Sequence, residues 1–65
     1  MRILVNGVWR ETTARELAAT LEALGYGGRT VSTAVNGEFV AADARARTTL
    51  ADGDRVEVLA PMQGG

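Results

Sequence analysis

The sequence predicts an α+β domain in two layers, one mixed sheet of about four to five strands packed on one main helix at about residues 14–24. Three observations predict it. Asn6-Gly7 and Asn36-Gly37 each separate short runs rich in β-branched and aromatic residues, and Asn-Gly is the strongest two-residue hairpin signal because both positions tolerate positive φ. Leu17, Leu21 and Leu24, with Ala14 and Ala18, recur at helical steps and form one apolar stripe. Arg55-Val56-Glu57-Val58-Leu59 alternates, so Val56 and Val58 face a core while Arg55, Glu57 and Leu59 face away.

Taken in order, Met1 to Val5 is a strand and Val8-Trp9-Arg10-Glu11 the returning one. Alternation puts Met1, Ile3, Val5 and Val8 inside and Leu4 and Trp9 outside. It also turns Arg10 inward, so a bulge or an early strand end is expected there. Thr13-Ala14-Arg15-Glu16 reads as a capping box at the helix start, and Gly25 closes the helix in a left-handed conformation. Thr30 to Val35 and Glu38-Phe39-Val40 make the second hairpin, and Ala41 to Ala46 one helical or 3₁₀ turn. Ala51-Asp52-Gly53-Asp54 is a turn by composition. Pro61 cannot donate to a ladder and marks the end of the last strand. The division expected is a domain over residues 1–60 and a flexible Gly-Gly tail over 61–65.

Composition narrows the function. A chain of 65 residues has few apolar side chains to divide between a core and a catalytic cavity, which favours a carrier or binding module. It contains no Cys and no His, and all seven basic residues are Arg. Thiolate nucleophiles, imidazole bases, the usual zinc ligands and a Lys Schiff base are thereby excluded. Net charge is −1 with the Arg residues spread along the chain, so nucleic-acid binding is not expected. The apolar runs, such as Phe39-Val40-Ala41-Ala42, are far shorter than the roughly 20 residues that span a bilayer. No signal-type stretch opens the sequence, and the expectation is a cytoplasmic protein without membrane attachment.

Four segments, in this order, resemble the ThiS-type sulfur carriers of thiamin (thiazole) biosynthesis: Ile3-Leu4-Val5-Asn6-Gly7, Val35-Asn36-Gly37-Glu38-Phe39-Val40, Leu50-Ala51-Asp52-Gly53-Asp54-Arg55-Val56-Glu57-Val58 and Pro61-Met62-Gln63-Gly64-Gly65. The chain departs from the family at Trp9 and in the polar tract from Arg45 to Thr49. The resemblance implies the ubiquitin-like β-grasp fold. It also implies a non-enzymatic role in which the Gly65 carboxylate is adenylated by an E1-like (ThiF-type) enzyme and converted to a thiocarboxylate. The sulfur would come from a cysteine desulfurase or another donor and pass to a thiazole synthase (ThiG-type). No bound cofactor is implied, since ATP belongs to the adenylating partner.

The chemistry suits these residues. A carboxylate is a poor electrophile, and adenylation supplies the leaving group it lacks. Gly65 presents its carboxylate without a side chain, and Gly64 keeps the approach thin. Gln63 and Met62 complete the tail, with Met62 placed to anchor it in a partner groove. Leu4, Trp9 and Leu59 share the sheet face away from the helix and are the candidate docking surface. Two other readings stay open: a carrier of the molybdopterin synthase small-subunit type, or a ubiquitin-like interaction module whose tail is never activated. An enzyme would have to rely on Asp43, Asp52, Asp54, Glu38 and Glu57, all of which turns or solvated faces explain.

Overall fold

A computed structural model describes residues 1–60. The elements run β1 (Arg2–Val5), β2 (Val8–Glu11), α1 (Leu17–Ala23), β3 (Ser32–Val35), β4 (Glu38–Val40), a 3₁₀ helix (Ala42–Arg47) and β5 (Arg55–Leu59). All five strands join one sheet in the order β2-β1-β5-β3-β4. The two hairpins are antiparallel, β5 runs parallel to β1, and β5 runs antiparallel to β3. It follows that β2 and β3 point the same way, and α1 is the crossover between them. That crossover spans two strand positions, one already filled by β1. The last strand fills the other and becomes the centre of the sheet. This is the ubiquitin-like β-grasp arrangement.

Both hairpin turns are held by left-handed residues, with φ of 49° and 82° at Asn6 and Gly7 and of 50° and 85° at Asn36 and Gly37. The β1–β2 register is unbroken: Arg2 pairs with Glu11, Ile3 with Arg10, Leu4 with Trp9 and Val5 with Val8. The bulge expected near Arg10 is therefore absent. Arg10 does share the side of Ile3, but β2 is an edge strand and every one of its residues is exposed. Val8, expected in the core, is 57% exposed for the same reason. The third strand starts at Ser32 rather than Thr30, because its partner β5 ends at Leu59, opposite Ser32.

The helix departs most from expectation. It runs from Leu17 to Ala23, and Glu16, its N-cap residue, is extended with φ −99° and ψ 153°. Glu16 bridges Thr49 in antiparallel fashion: Leu17 N–H donates to Thr48 O at 2.9 Å and Leu50 N–H to Arg15 O at 2.8 Å. Pairing with a segment over 30 residues later thus holds Arg15 and Glu16 extended and displaces the capping box expected at Thr13. Ala14 lies in the approach to the helix, where its N–H donates to Thr12 Oγ1 at 3.1 Å. The C-terminus is a full Schellman motif. Tyr26 N–H donates to Leu21 O at 2.8 Å and Gly25 N–H to Glu22 O at 3.1 Å, with Gly25 at φ 94°.

Ile3, Val5, Leu17, Leu21, Leu50, Val56 and Val58 form the buried core, and Leu24 packs against it half-buried. Fully burying each such aliphatic side chain is worth about 1.5–3 kcal/mol. Buried hydroxyls are satisfied within the layer. Thr20 Oγ1 donates to Glu16 O at 2.9 Å, and Thr33 Oγ1 donates to Val40 O at 2.8 Å while accepting from Arg45 Nε at 3.0 Å. Arg45 also donates through Nη2 to Val31 O at 2.6 Å, so it pins the 3₁₀ helix to β3.

Thr13→Ala is expected to change the unfolding free energy by less than about 0.5 kcal/mol, since no cap is lost. Gly25→Ala puts a Cβ in the left-handed region and is expected to cost about 1 kcal/mol. Urea titrations of both variants check this; a Thr13 loss matching that of Gly25 contradicts the helix start described.

Candidate functional site

The face of the sheet opposite α1 is uncovered. Ile3, Val5, Val56, Val58 and Thr33 point to the helix side, so the residues alternating with them point out. These are Leu4 on β1, Trp9 on β2, Arg55, Glu57 and Leu59 on β5, Ala34 on β3 and Phe39 on β4. The register sets their neighbours: Leu4 lies between Trp9 and Arg55, and Ala34 between Glu57 and Phe39. Leu59 is 68% exposed, Phe39 73% and Trp9 50%, while Leu4 is half-buried.

A shallow groove of about 460 Å³ runs over this face, floored by Leu4 and Ala34, walled by Phe39 and Leu59, and bordered by Arg55 and Glu57. Leu4 and Leu59 thus come together as the sequence suggests. Trp9 stands outside the groove on the edge strand, where the Arg2 guanidinium covers its ring at 4.6 Å from the centroid. An exposed cation–π contact of this kind is worth about 0.5–1 kcal/mol and orders the Trp9 ring. Phe39 is the residue that sequence reading left out of the surface. Its signal is turn parity: across a two-residue hairpin the flanking residues Val35 and Glu38 pair, which places Phe39 opposite Ala34 and away from Thr33.

The groove ends where the main chain leaves the sheet. β1 and β5 are parallel, so the Asn6-Gly7 turn and the end of β5 lie at the same edge, and Asn6, Gly7 and Ser32 line the groove there. Beyond Ala60, the tail residues Met62, Gln63, Gly64 and Gly65, and the division at residue 61, lie outside the described residues.

Two of the candidate carboxylates have structural work. Asp52 Oδ1 accepts Arg2 N–H at 2.7 Å, and Asp54 accepts Ala51 N–H at 2.7 Å and Asn36 Nδ2 at 3.0 Å. Among the described residues no three His, Cys, Asp or Glu side chains cluster as metal ligands do. No described helix is long and apolar enough to cross a membrane. What the described face offers is an apolar surface beside the end of β5.

A family model described as the ThiS family matches residues 3–65. Among solved structures, the crystal structure of a thiamine biosynthesis protein (ThiS) from Geobacter metallireducens is 33% identical, with a TM-score of 0.84 over the full length of both chains. The NMR solution structure of a thiamine biosynthesis protein from Geobacter metallireducens is likewise 33% identical, with a TM-score of 0.77 over all of this chain and 88% of that one. No curated protein matches the chain.

Phe39→Ser and Leu59→Ser remove apolar surface that is already in water and are each expected to shift unfolding by less than about 1 kcal/mol. Val58→Ser, in the core of the same sheet, is expected to cost about 2 kcal/mol or more. Parallel urea titrations separate the two classes; a Phe39 loss equal to that of Val58 places Phe39 under cover.

Proposed function

The chain belongs to the ThiS family, and from that membership we propose that it is a sulfur carrier for thiazole formation in thiamin biosynthesis. The observation that carries the reading is the extent of the match, which includes the Met62-Gln63-Gly64-Gly65 end as well as the folded domain. In this reading the chain is a co-substrate and not an enzyme. A carboxylate oxygen of Gly65 attacks the α-phosphorus of ATP in an E1-like, ThiF-type partner, and pyrophosphate leaves. A sulfur nucleophile, supplied through a cysteine desulfurase or another donor, then attacks the acyl adenylate and AMP leaves. A sulfide donor gives the Gly65 thiocarboxylate directly; a persulfide donor gives an acyl disulfide, whose S–S bond a thiol then attacks, releasing the thiocarboxylate and leaving the thiol and donor sulfur as a disulfide. The thiocarboxylate is the sulfur source for a ThiG-type synthase. ATP is bound by the partner, and the chain itself holds no cofactor.

The apolar outer face supports the reading. Leu4, Phe39 and Leu59 form a desolvatable patch with Trp9 beside it, and a partner seated there receives the tail from the adjoining end of β5. Gly64 and Gly65 let the tail enter a narrow nucleotide site as bare backbone. The lack of Cys, His and Lys is compatible with a role that asks for no catalytic side chain.

Intact-protein mass spectrometry of the untagged protein, incubated with ATP, the adenylating enzyme and a sulfur donor, tests the chemistry. The expected product replaces one oxygen by sulfur at Gly65, and a variant with one residue appended after Gly65 yields none. Unmodified carboxylate throughout contradicts the proposal and favours a docking module whose tail is never activated. Leu59→Asp and Phe39→Asp should fold normally yet weaken binding to the adenylating enzyme about tenfold or more in calorimetric titrations. Unchanged affinity in both removes the groove from the docking surface.

A further inference from the structure

The end of β5 is secured differently on its two sides. On the β3 side, ordinary pairing continues to the last residue, with Thr33 opposite Val58 and Ser32 opposite Leu59. On the β1 side, strand pairing stops at Val5 opposite Val56. The Asn6 N–H still donates to Val56 O at 3.0 Å, and then the chain turns away at Asn6-Gly7. The next backbone groups of β5 on that side are the N–H and C=O of Val58, and both are taken by one side chain. Val58 N–H donates to Asn6 Oδ1 at 2.8 Å, and Asn6 Nδ2 donates to Val58 O at 3.0 Å. A primary amide carries one acceptor and a donor side by side, as a backbone residue does, so Asn6 stands in for an extra strand residue. Two residues later, at Ala60, the chain leaves the described fold.

Building on the carrier reading above, we propose that Asn6 is a positioning residue for the reactive end: its carboxamide fixes where and in which direction the chain leaves the sheet. Both backbone groups of Val58 point to the β1 side and bond only to Asn6, so the end of the strand is held on both sides only while that clamp is in place. Each strand residue that frays adds two free dihedrals and about 3.3 Å of slack between the docking face and Gly65. Loss of the clamp moves the start of that slack from Ala60 back to the end of the remaining two-sided pairing, near Glu57. Reaction at a distant carboxylate depends steeply on such placement. Only Asn meets every demand at this site. Gly lacks both side-chain bonds, Asp lacks the donor to Val58 O, and Ala lacks both and is strained at a φ of 49°.

The fold supplies a matched control. Asn36 makes the same kind of turn at the opposite end of β5: its Oδ1 accepts Arg55 N–H at 2.9 Å and its N–H donates to Arg55 O at 2.7 Å. Asn36 secures the start of the strand, remote from the exit.

The test compares the full chain with Asn6→Gly and Asn36→Gly, both of which keep a turn that tolerates positive φ. Asn6→Asp, which keeps half of the clamp, serves the same comparison with an intermediate loss expected. In amide hydrogen exchange, Asn6→Gly should speed exchange at Val58 and Leu59 about tenfold more than Asn36→Gly does. Calorimetric titrations with the adenylating enzyme set the concentration that saturates each variant, since Asn6 itself lines the docking groove. At saturation, turnover in Gly65 adenylation should fall about tenfold or more for Asn6→Gly alone. Equal effects of the two Gly variants, or parent-like turnover of Asn6→Gly, overturn the proposal. If the parent itself is never adenylated, the carrier reading fails instead, and Asn6 is judged on exchange alone: parent-like exchange at Val58 and Leu59 then overturns its role.

Discussion

The arrangement depends on one insertion, the entry of β5 between β1 and β3. Without it, the two hairpins are joined only through α1 and its neighbouring loops, and the centre of the sheet is empty. With it, Val56 and Val58 reach the floor of the core, 0% and 4% exposed, and the strand is paired with β1 over Arg55 and Val56 and with β3 from Val56 to Leu59. The two hairpin Asn residues are part of that insertion. Each bends its own turn and also reaches across to β5, Asn36 at Arg55 and Asn6 at Val58. The Asn6–Val58 bonds join residues 52 apart in sequence, so the chain entropy lost in closing that loop is offset only when the strand is held along its length.

The same insertion makes the functional surface. A five-stranded sheet with one main helix can cover one face only, and α1 with the 3₁₀ helix occupies that side, the latter pinned through Arg45. The opposite face is left to water or to a partner. Its apolar residues come from all five strands and meet only because β5 sits where it does, bringing Leu59 to the groove that Leu4 and Phe39 line. Along β5, alternation sends Val56 and Val58 inward and Glu57 and Leu59 outward. Core, docking face and departure point of the tail therefore lie within five residues of one strand, so the reactive end in the proposed carrier cycle starts from the central strand of the sheet.

Local patterns were legible where local physics decides. The Asn-Gly turns, the alternation of β5, the Gly25 helix stop and the 3₁₀ turn all follow from backbone preferences acting within a few residues. The helix start was not legible, because the choice at Thr13–Glu16 was settled by Thr48, Thr49 and Leu50. Nor was the exposure of Arg10 and Val8, which follows from β2 ending up at an edge. For the site, Leu4 and Leu59 follow from parity along their own strands, whereas Phe39 follows only when parity is carried across the Asn36-Gly37 turn from the inward Thr33.

The sequence by itself determined which segments are strands, turns and helix, the absence of Cys, His and Lys, and the resemblance that points to Gly65. Those properties reside in side-chain chemistry and in conformational preferences a few residues wide. Only the tertiary structure decided that the last strand lies at the centre, that Phe39 joins Leu4 and Leu59 over one groove, and that the amide of Asn6 completes the pairing of Val58. Each of these is a contact between residues distant in sequence. Such contacts are selected by competition for hydrogen-bond partners and for buried surface across the whole chain, which no local pattern encodes.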